Sequence, residues 1–139
     1  MSLPVVAWIP MVGMLLMIVF GVHQTLPALG LQRSAPLLRA HTLLPEVTFI
    51  GHTSPDTDAV CAAIAAAELW GGIAAIPAPP NRETQWVLAR FGVPNPPLAQ
   101  DLPKAPTSWG LVDFASEAQL ARTVDKSKVH MIVDHHKIS

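Results

Sequence analysis

The aspartates and histidines of three short stretches are the residues of this sequence best suited to chemistry. They stand in GHTSPDTD, in LVD and in VDHH: His52, Asp56, Asp58, Asp113, Asp134, His135 and His136. Imidazole nitrogens and carboxylate oxygens bind divalent metal ions, and histidine also transfers protons near neutral pH. The three stretches therefore predict a site that holds metal ions or moves protons.

Each of these residues also has a simpler explanation when it is taken alone. Asp56 and Asp58 precede an alanine-rich run and could cap a helix. His52 could be an ordinary loop histidine, and Asp113 could form a turn or cap the segment that starts at Ser116. Several carboxylates gathered at one place repel one another, however, and burial makes that repulsion worse unless a cation is present. As a group, the residues favour a metal site.

The residue types also restrict which metal the site would take. His52, Asp56, Asp58, Asp113 and His135 form a mixed set of nitrogen and oxygen donors. Such a set suits Mn²⁺, Fe²⁺, Co²⁺ or Zn²⁺ better than Mg²⁺ or Ca²⁺, which prefer oxygen alone. With this many ligands, two ions that share one carboxylate are more natural than a single ion. Two-metal clamps of this kind serve hydrolysis at phosphorus.

Strands and helices alternate along the chain from Pro45 onward, which predicts an α/β fold with a parallel sheet flanked by helices. VTFI (47–50), WGLVD (109–113) and VHMIVD (129–134) are short apolar runs typical of buried strands. Each strand runs into an aspartate or a histidine at its carboxyl end. Ligands bind outside the carboxyl ends of the strands in open parallel sheets, so we expect the polar residues to converge there.

The helices of this pattern are marked by their ends. The alanine-rich run after GHTSPDTD predicts a helix that stops at Gly71 and Gly72, and a second, short helix is expected between Asn81 and Gly92. Ser116 and Gln119 form a capping-box pattern that predicts a third helix in SEAQLARTV.

The first 44 residues are treated as a separate apolar N-terminal segment and linker, and residues 45–139 as a partial domain. Leu3 to Val22 carries no charge and is long enough to span a bilayer. It is interpreted as a membrane anchor, as the product of a misassigned start, or as a signal peptide. Arg33 and Arg39 follow it, so an anchor would leave the domain in the cytoplasm.

Charge and cysteine content exclude some classes of protein. The net charge is −1, and no run of lysine or arginine is present to bind nucleic acid. The single cysteine, Cys61, cannot form an internal disulfide, so the chain is not an oxidised secreted scaffold. A cytoplasmic location is therefore expected.

Taken in order, the motifs GHTSPDTDAVCAAIA, RETQWVL, LVD and VDHHKI resemble the N-terminal half of the manganese-dependent (family II) inorganic pyrophosphatases of the DHH phosphoesterase superfamily. The resemblance covers about residues 47 to 138. PDTD is its most specific part, because other DHH phosphoesterases usually vary this first motif. RETQ is similar to the GETQ element of the pyrophosphatases, with Arg82 in place of glycine.

The resemblance implies a role for each polar residue. It implies that His52 and Asp56 bind one metal ion, that Asp58 and His135 bind the other, and that Asp113 bridges them. His136 would face the substrate phosphate as the catalytic residue, and Asp134 would orient the site from behind without binding metal. Two Mn²⁺ ions are the implied cofactor, with Co²⁺ or Mg²⁺ as substitutes, and pyrophosphate is the implied substrate.

Two departures from the family pattern keep other interpretations open. The family reads LVDHNE where this chain reads LVDFASE, so Phe114 replaces a histidine. This substitution weakens the pyrophosphatase assignment relative to the alternative of a related phosphodiesterase that acts on short oligonucleotides or cyclic dinucleotides, although PDTD and RETQ keep pyrophosphatase as the leading interpretation. Family members also continue past DHHKI into a further metal ligand and a basic C-terminal domain. The chain is therefore interpreted as a fragment that is weak or inactive alone, or that binds metal or phosphate without turnover; whether the parent is a homodimer stays open.

Overall fold

The computed structural model describes residues 5–7 and 43–136. Its elements are β1 (Val5–Ala7), β2 (Val47–Ile50), α1 (Thr57–Trp70), β3 (Ile73–Ala75), α2 (Arg82–Phe91), β4 (Ser108–Val112) and β5 (Val129–Val133). The strands form one parallel sheet in the order β1-β5-β4-β2-β3. Within these residues, short 3₁₀ helices cover Ala99–Asp101, Glu117–Gln119 and Lys126–Lys128. The predicted α/β class is confirmed.

Helix α1 follows β2 directly and packs on one face of the sheet through small side chains. Asp56 is its N-cap and accepts a hydrogen bond from the backbone N–H of Ala59, while Gly71 ends it in the left-handed conformation. The alanines of the helix form a core with Phe49 and Val112. Alanine lets the helix approach the sheet closely, and this brings its first turn to the carboxyl end of β2.

Helix α2 has the two ends that the sequence predicts. The Asn81 side chain accepts a hydrogen bond from the backbone N–H of Thr84, and Gly92 closes the helix with φ 66°. Leu88 is buried against Val60 of α1, so α2 rests on the first helix near its N-terminal half. This contact places the start of α2 beside the GHTSPDTD loop.

The opposite face of the sheet is covered by the connection between β4 and β5. Phe114, Ala121 and Val124 of that connection pack against Ile50 and the β4 residues Trp109 and Leu111. From β2 the chain passes over one face towards β3, whereas from β4 it passes over the other face towards β5. The carboxyl ends of β2 and β4 therefore lie at a topological switch point, where parallel sheets form their binding crevices.

Two elements differ from the sequence-based predictions. Ile73–Ala75 is a strand that was not predicted, because three residues containing two alanines carry little strand signal. The third helix predicted from Ser116 is wrong: only the 3₁₀ turn Glu117–Gln119 forms, and Ser116 makes no side-chain cap. The Gln119 carbonyl instead accepts a hydrogen bond from the backbone N–H of Thr53, so tertiary contacts override the local helix signal.

Most of the apolar N-terminal segment lies outside the described residues, and with it the predictions of an anchor, a signal peptide or a misassigned start. The described part, Val5–Ala7, is a strand paired with Met131 to Val133 of β5. Within residues 5–7 and 43–136, no helix is both long enough and apolar enough to cross a membrane.

Gly51 sets the distance between β2 and α1, and its replacement should be costly. A Cβ at this position would lie 2.7 Å from the Ala59 Cβ and 3.1 Å from the Ala59 carbonyl oxygen. We expect Gly51→Ala to lower the free energy of unfolding by about 1–3 kcal/mol through overpacking, as measured by urea denaturation. Adding Ala59→Gly should recover part of this loss, and a fully stable single variant would contradict the tight approach.

Candidate metal centre

The loop after β2 presents His52 and Asp56 together. Asp56 uses Oδ1 to accept the helix-capping hydrogen bond from Ala59, at 3.0 Å. Its other oxygen, Oδ2, lies 3.7 Å from Nε2 of His52. The cap therefore fixes the carboxylate and leaves one oxygen facing the histidine.

Asp113 follows β4 directly and stands at the centre of the site. Its backbone adopts a left-handed conformation. It has φ 65°, in the left-handed region that aspartate and asparagine tolerate better than most residues. Its backbone N–H donates to the carbonyl of Val133, which ties the end of β4 to β5 at 2.9 Å. The residue is 5% exposed. A buried carboxylate is thereby held in a single place between three chain segments.

The two oxygens of Asp113 face different partners. Oδ2 lies 3.5 Å from Nε2 of His52, and Oδ1 lies 3.0 Å from Nε2 of His135. Nε2 of His135 is in turn 3.4 Å from Oδ2 of Asp58. One side of Asp113 thus joins His52 and Asp56, and the other joins His135 and Asp58. The structure gathers the five predicted metal ligands in one cluster, in which His52 and His135 contact Asp113 directly. Asp58 reaches the cluster through His135 and belongs to neither group of atoms close enough to hold an ion.

His136 and Asp134 form a pair beside this cluster. Nδ1 of His136 lies 2.7 Å from Oδ1 of Asp134, and the same oxygen accepts the His136 backbone N–H. Nδ1 of His136 is also 3.9 Å from Oδ1 of Asp113. One group of atoms close enough to hold an ion includes Asp113, His135 and His136, and another includes His52, Asp56 and Asp113. The assignment of His135 as ligand and His136 as substrate-facing therefore stays a prediction.

Burial and the charges of the site both act on Asp113. Burial raises the pKa of its carboxyl above the ordinary value of 3.8, the negative charge of Asp58 raises it further, and the hydrogen bond with His135 only partly opposes these effects. The ionised carboxylate is thus disfavoured as long as no cation lies nearby. A cation beside Asp113 would offset both effects.

The comparisons with known proteins agree with this geometry. The DHH family, N-terminal domain, matches residues 46–139. This chain belongs to the DHH family. The match begins just before β2 and covers all of the residues that form the site.

Relatives of the DHH domain carry pyrophosphatase names. A "probable manganese-dependent inorganic pyrophosphatase" of Archaeoglobus fulgidus is 38% identical over 109 residues, covering 66% of this chain and 33% of the relative. One from Shouchella clausii is 35% identical over 101 residues, covering 69% and 32%. A candidate family II inorganic pyrophosphatase of Methanococcus jannaschii has a crystal structure similar to this fold, with TM-score 0.58 and 33% identity, covering 66% of this chain and 30% of that one.

These relatives confirm the resemblance predicted from PDTD, RETQ and DHH. The DHH chain described here spans about a third of the length of the curated relatives it matches. What their names say about substrate and metal is therefore carried to this chain only as a proposal.

Two structural roles near the site of this DHH domain were missed from the sequence. Phe114, singled out for replacing a family histidine, is 2% exposed and belongs to the core. Its ring meets the His52 ring nearly edge-on, with 6.4 Å between centroids. Thr57 and Thr84 form a hydroxyl pair at 3.1 Å beside the loop. A threonine by itself belongs to no functional motif, but the position of Thr57 between Asp56 and Asp58 is a clue that its side chain has a structural role at the site.

The pair formed by Asp134 and His136 predicts a measurable titration. The hydrogen bond to Asp134 raises the pKa of His136 above its ordinary value of 6.5. Burial alone would raise the pKa of Asp134, but the bonds from the ring and backbone of His136 outweigh it, so the pKa of Asp134 is lowered. In metal-free protein we expect Asp134→Asn to lower the His136 pKa towards 6.5, as followed by NMR titration of the ring. His130, whose ring lies outside the cluster, serves as the internal control; an unchanged His136 pKa would contradict the pairing.

Proposed function

We propose that this chain carries the metal-binding part of a manganese-dependent inorganic pyrophosphatase, which hydrolyses pyrophosphate to two phosphates at a two-metal site. The observation that carries the proposal is the position of Asp113. Its two oxygens face separate groups of donors, with His52 on one side and His135 on the other. A carboxylate shared in this way is what a pair of metal ions requires.

The donor set fits manganese. Imidazole nitrogens and carboxylate oxygens stand together, and the pKa of the central carboxyl is raised by burial and by neighbouring negative charge, both of which a cation would offset. In the proposed assignment His52 and Asp56 would hold one ion, Asp58 and His135 would hold the other, and Asp113 would serve both. Co²⁺ or Mg²⁺ would be substitutes, and the nitrogen donors make Mg²⁺ the weaker one.

When bound, the metal ions would polarise the phosphate oxygens and lower the pKa of a coordinated water. The protein itself supplies orientation and a proton. The carboxylate of Asp134 holds the ring of His136 and raises its pKa, so the imidazole is kept protonated over a wider pH range. Proposed as the catalytic residue, a protonated His136 would stabilise negative charge on the phosphate or assist the leaving group.

Completing the domain with a relative's sequence tests the proposed activity. In a chimera, residues 46–139 of this chain would replace the matching segment of the Archaeoglobus fulgidus relative, which supplies the remaining two thirds of the protein. We expect Mn²⁺-dependent release of phosphate from pyrophosphate by the chimera. The 139-residue chain alone should bind Mn²⁺ but turn over little or no pyrophosphate, which serves as the matched comparison.

The same assay decides between the candidate functions. Hydrolysis of a dinucleotide in preference to pyrophosphate would replace the proposal with the phosphodiesterase interpretation that Phe114 raised. Metal binding without hydrolysis of either substrate by the folded chimera would support a binding-only module. The proposal also includes a cytoplasmic location and, for a full-length parent, a homodimer. Fractionation of expressing cells and light scattering of the purified parent would test these two.

A further inference from the structure

The contact between α1 and α2 includes a part-buried hydroxyl pair, one member of which stands between two proposed metal ligands in the sequence. The Oγ1 atoms of Thr57 and Thr84 lie 3.1 Å apart. Thr84 is 0% exposed, in an interface otherwise formed by apolar residues such as Val60 and Leu88. A buried hydroxyl is kept only where it has a partner, because an unpaired one is destabilising. Thr57 is the partner of Thr84.

The direction of the hydrogen bonds follows from the donors available. Thr57 Oγ1 also lies 3.3 Å from Oε1 of Glu83, and an ionised carboxylate can only accept. Thr57 has one hydroxyl proton, so it donates to Glu83, and Thr84 donates to Thr57. Thr57 is thus held by two residues of α2 at once.

Helix α2 is itself fixed at this point. The Asn81 side chain accepts the backbone N–H of Thr84 at 2.8 Å, and Leu88 anchors the next turn in the core. The hydroxyl of Thr84 therefore comes from a rigid place and not from a mobile loop. Its bond to Thr57 transmits that rigidity to the first turn of α1.

Thr57 stands between two proposed ligands that serve different ions. Asp56 faces His52, with Oδ2 at 3.7 Å from Nε2, and Asp58 faces His135, with Oδ2 at 3.4 Å from Nε2. The Thr57 side chain contacts α2, whereas the side chains on either side of it contact the cluster. Asp56 is also held by its capping hydrogen bond from Ala59, so fixing Thr57 holds the backbone from which both carboxylates enter the site and matters most for Asp58.

We infer that Thr84 is a positioning residue of the metal centre: its hydroxyl, through Thr57, holds Asp56 and Asp58 in the orientation that binds the ions. The inference rests on the proposed metal centre and adds to it a residue that touches neither metal nor substrate. The effect should appear in metal affinity, because outer groups that orient ligands commonly change affinity by about 10- to 100-fold.

The experiment is a titration of the full chain with Mn²⁺, in which electron paramagnetic resonance measures the concentration of the free ion. Thr84→Val keeps the shape of the side chain and removes the hydroxyl, and it should weaken Mn²⁺ binding by about tenfold. Thr84→Ser restores the hydroxyl and should bind close to the wild-type affinity. In the double variant with Thr57→Val, the loss should be no larger than that of the worse single variant, because both hydroxyls belong to one bond.

Thr48→Val is the matched control. Thr48 is 2% exposed on β2, and no hydrogen bond joins it to the GHTSPDTD loop within the part of the chain that the structure describes. Urea unfolding in chelator, measured on each variant, reports the structural loss separately. We expect Thr48→Val to bind Mn²⁺ like the wild type.

The outcomes separate the inference from the proposed function. If the wild-type chain binds Mn²⁺ and Thr84→Val binds it equally well, Thr84 is only a structural residue and the inference fails. If Thr84→Ser binds as weakly as Thr84→Val, the hydroxyl is not the cause and the inference also fails. A wild-type chain that binds no Mn²⁺ at all overturns the metal centre itself, and this inference falls with it.

Discussion

Asp113→Asn should abolish tight Mn²⁺ binding and, at the same time, make the metal-free protein more stable at neutral pH. The proposed bridge would lose the charge that both ions share. Of the five proposed ligands, Asp113 alone faces both donor groups, so no other single replacement should remove as much affinity. Asparagine also tolerates the left-handed backbone at φ 65°, whereas alanine would add strain there.

The gain in stability has a defined pH dependence. Burial and the charge of Asp58 raise the pKa of Asp113 in the folded state, whereas the unfolded chain ionises near 3.8. Above 3.8 the folded state therefore holds more protons than the unfolded state, and this carboxyl lowers stability as the pH rises through its folded pKa. The asparagine variant is free of this loss. Its advantage over the wild type should grow from pH 3.8 upward and then level off.

Urea unfolding in chelator across this pH range, together with elemental analysis of bound manganese, checks both parts. Asp125→Asn is the control with the opposite sign. Hydrogen bonds from Ser127 lower the pKa of Asp125, so its contribution is present above 3.8 and is lost as the pH falls through its folded pKa. Relative to the wild type, Asp125→Asn should not become more stable as the pH rises, and it should retain its bound manganese. If Asp113→Asn kept two tightly bound ions while His136→Ala lost them, the roles proposed for these two residues would be wrong.

Phe114→Ala should destabilise the domain by about 3–5 kcal/mol, as expected when a buried phenylalanine is reduced to alanine. Phe114 is among the largest fully buried side chains and packs with Ile50, Trp109 and Leu111 on the face opposite α1. Domains of ordinary size have a total stability of about 5–15 kcal/mol, so the variant should be partly unfolded in mild denaturant. Urea denaturation with a chelator present gives the free energy directly.

Phe114→Leu is the more conservative comparison for this prediction. It keeps most of the buried surface and should lose only about 1–2 kcal/mol. The leucine variant should therefore fold. It should still bind Mn²⁺ more weakly, because the Phe114 ring packs edge-on against the ring of His52, a proposed metal ligand, and leucine would lose that contact. A change in stability below about 1 kcal/mol for Phe114→Ala would show that this residue is not part of the core.

The local features of the fold were accessible from the sequence. VTFI, WGLV and VHMIV are apolar runs with clear ends, and all three form strands near the predicted positions. Asn81 and Gly92 mark the ends of α2 because capping depends on neighbouring residues alone. The convergence of His52, Asp113 and His135 follows from one topological rule: the carboxyl ends of parallel strands meet at one edge of the sheet, where ligands bind.

The remaining features depend on contacts between distant segments. The helix predicted from SEAQLARTV does not form, because Gln119 is bonded to Thr53 and Ala121 and Val124 are packed on the sheet. Neither the left-handed backbone of Asp113 nor the bond between Thr57 and Thr84 has a local pattern that predicts it. Both become visible only when β5 and α2 are in place beside the loop.

The distribution of the ligands along the chain has a consequence for folding kinetics. His52 lies near the start of the described domain and His135 near its end, and the two are joined only through Asp113, after β5 has paired with β4. Bringing such distant segments together costs loop-closure entropy, so we expect these contacts to form late in folding. An ion that needs all of them would find no site in a half-folded chain, and so it would leave the rate of folding almost unchanged. Manganese would instead act after the barrier has been crossed, by slowing the rate at which the finished domain opens.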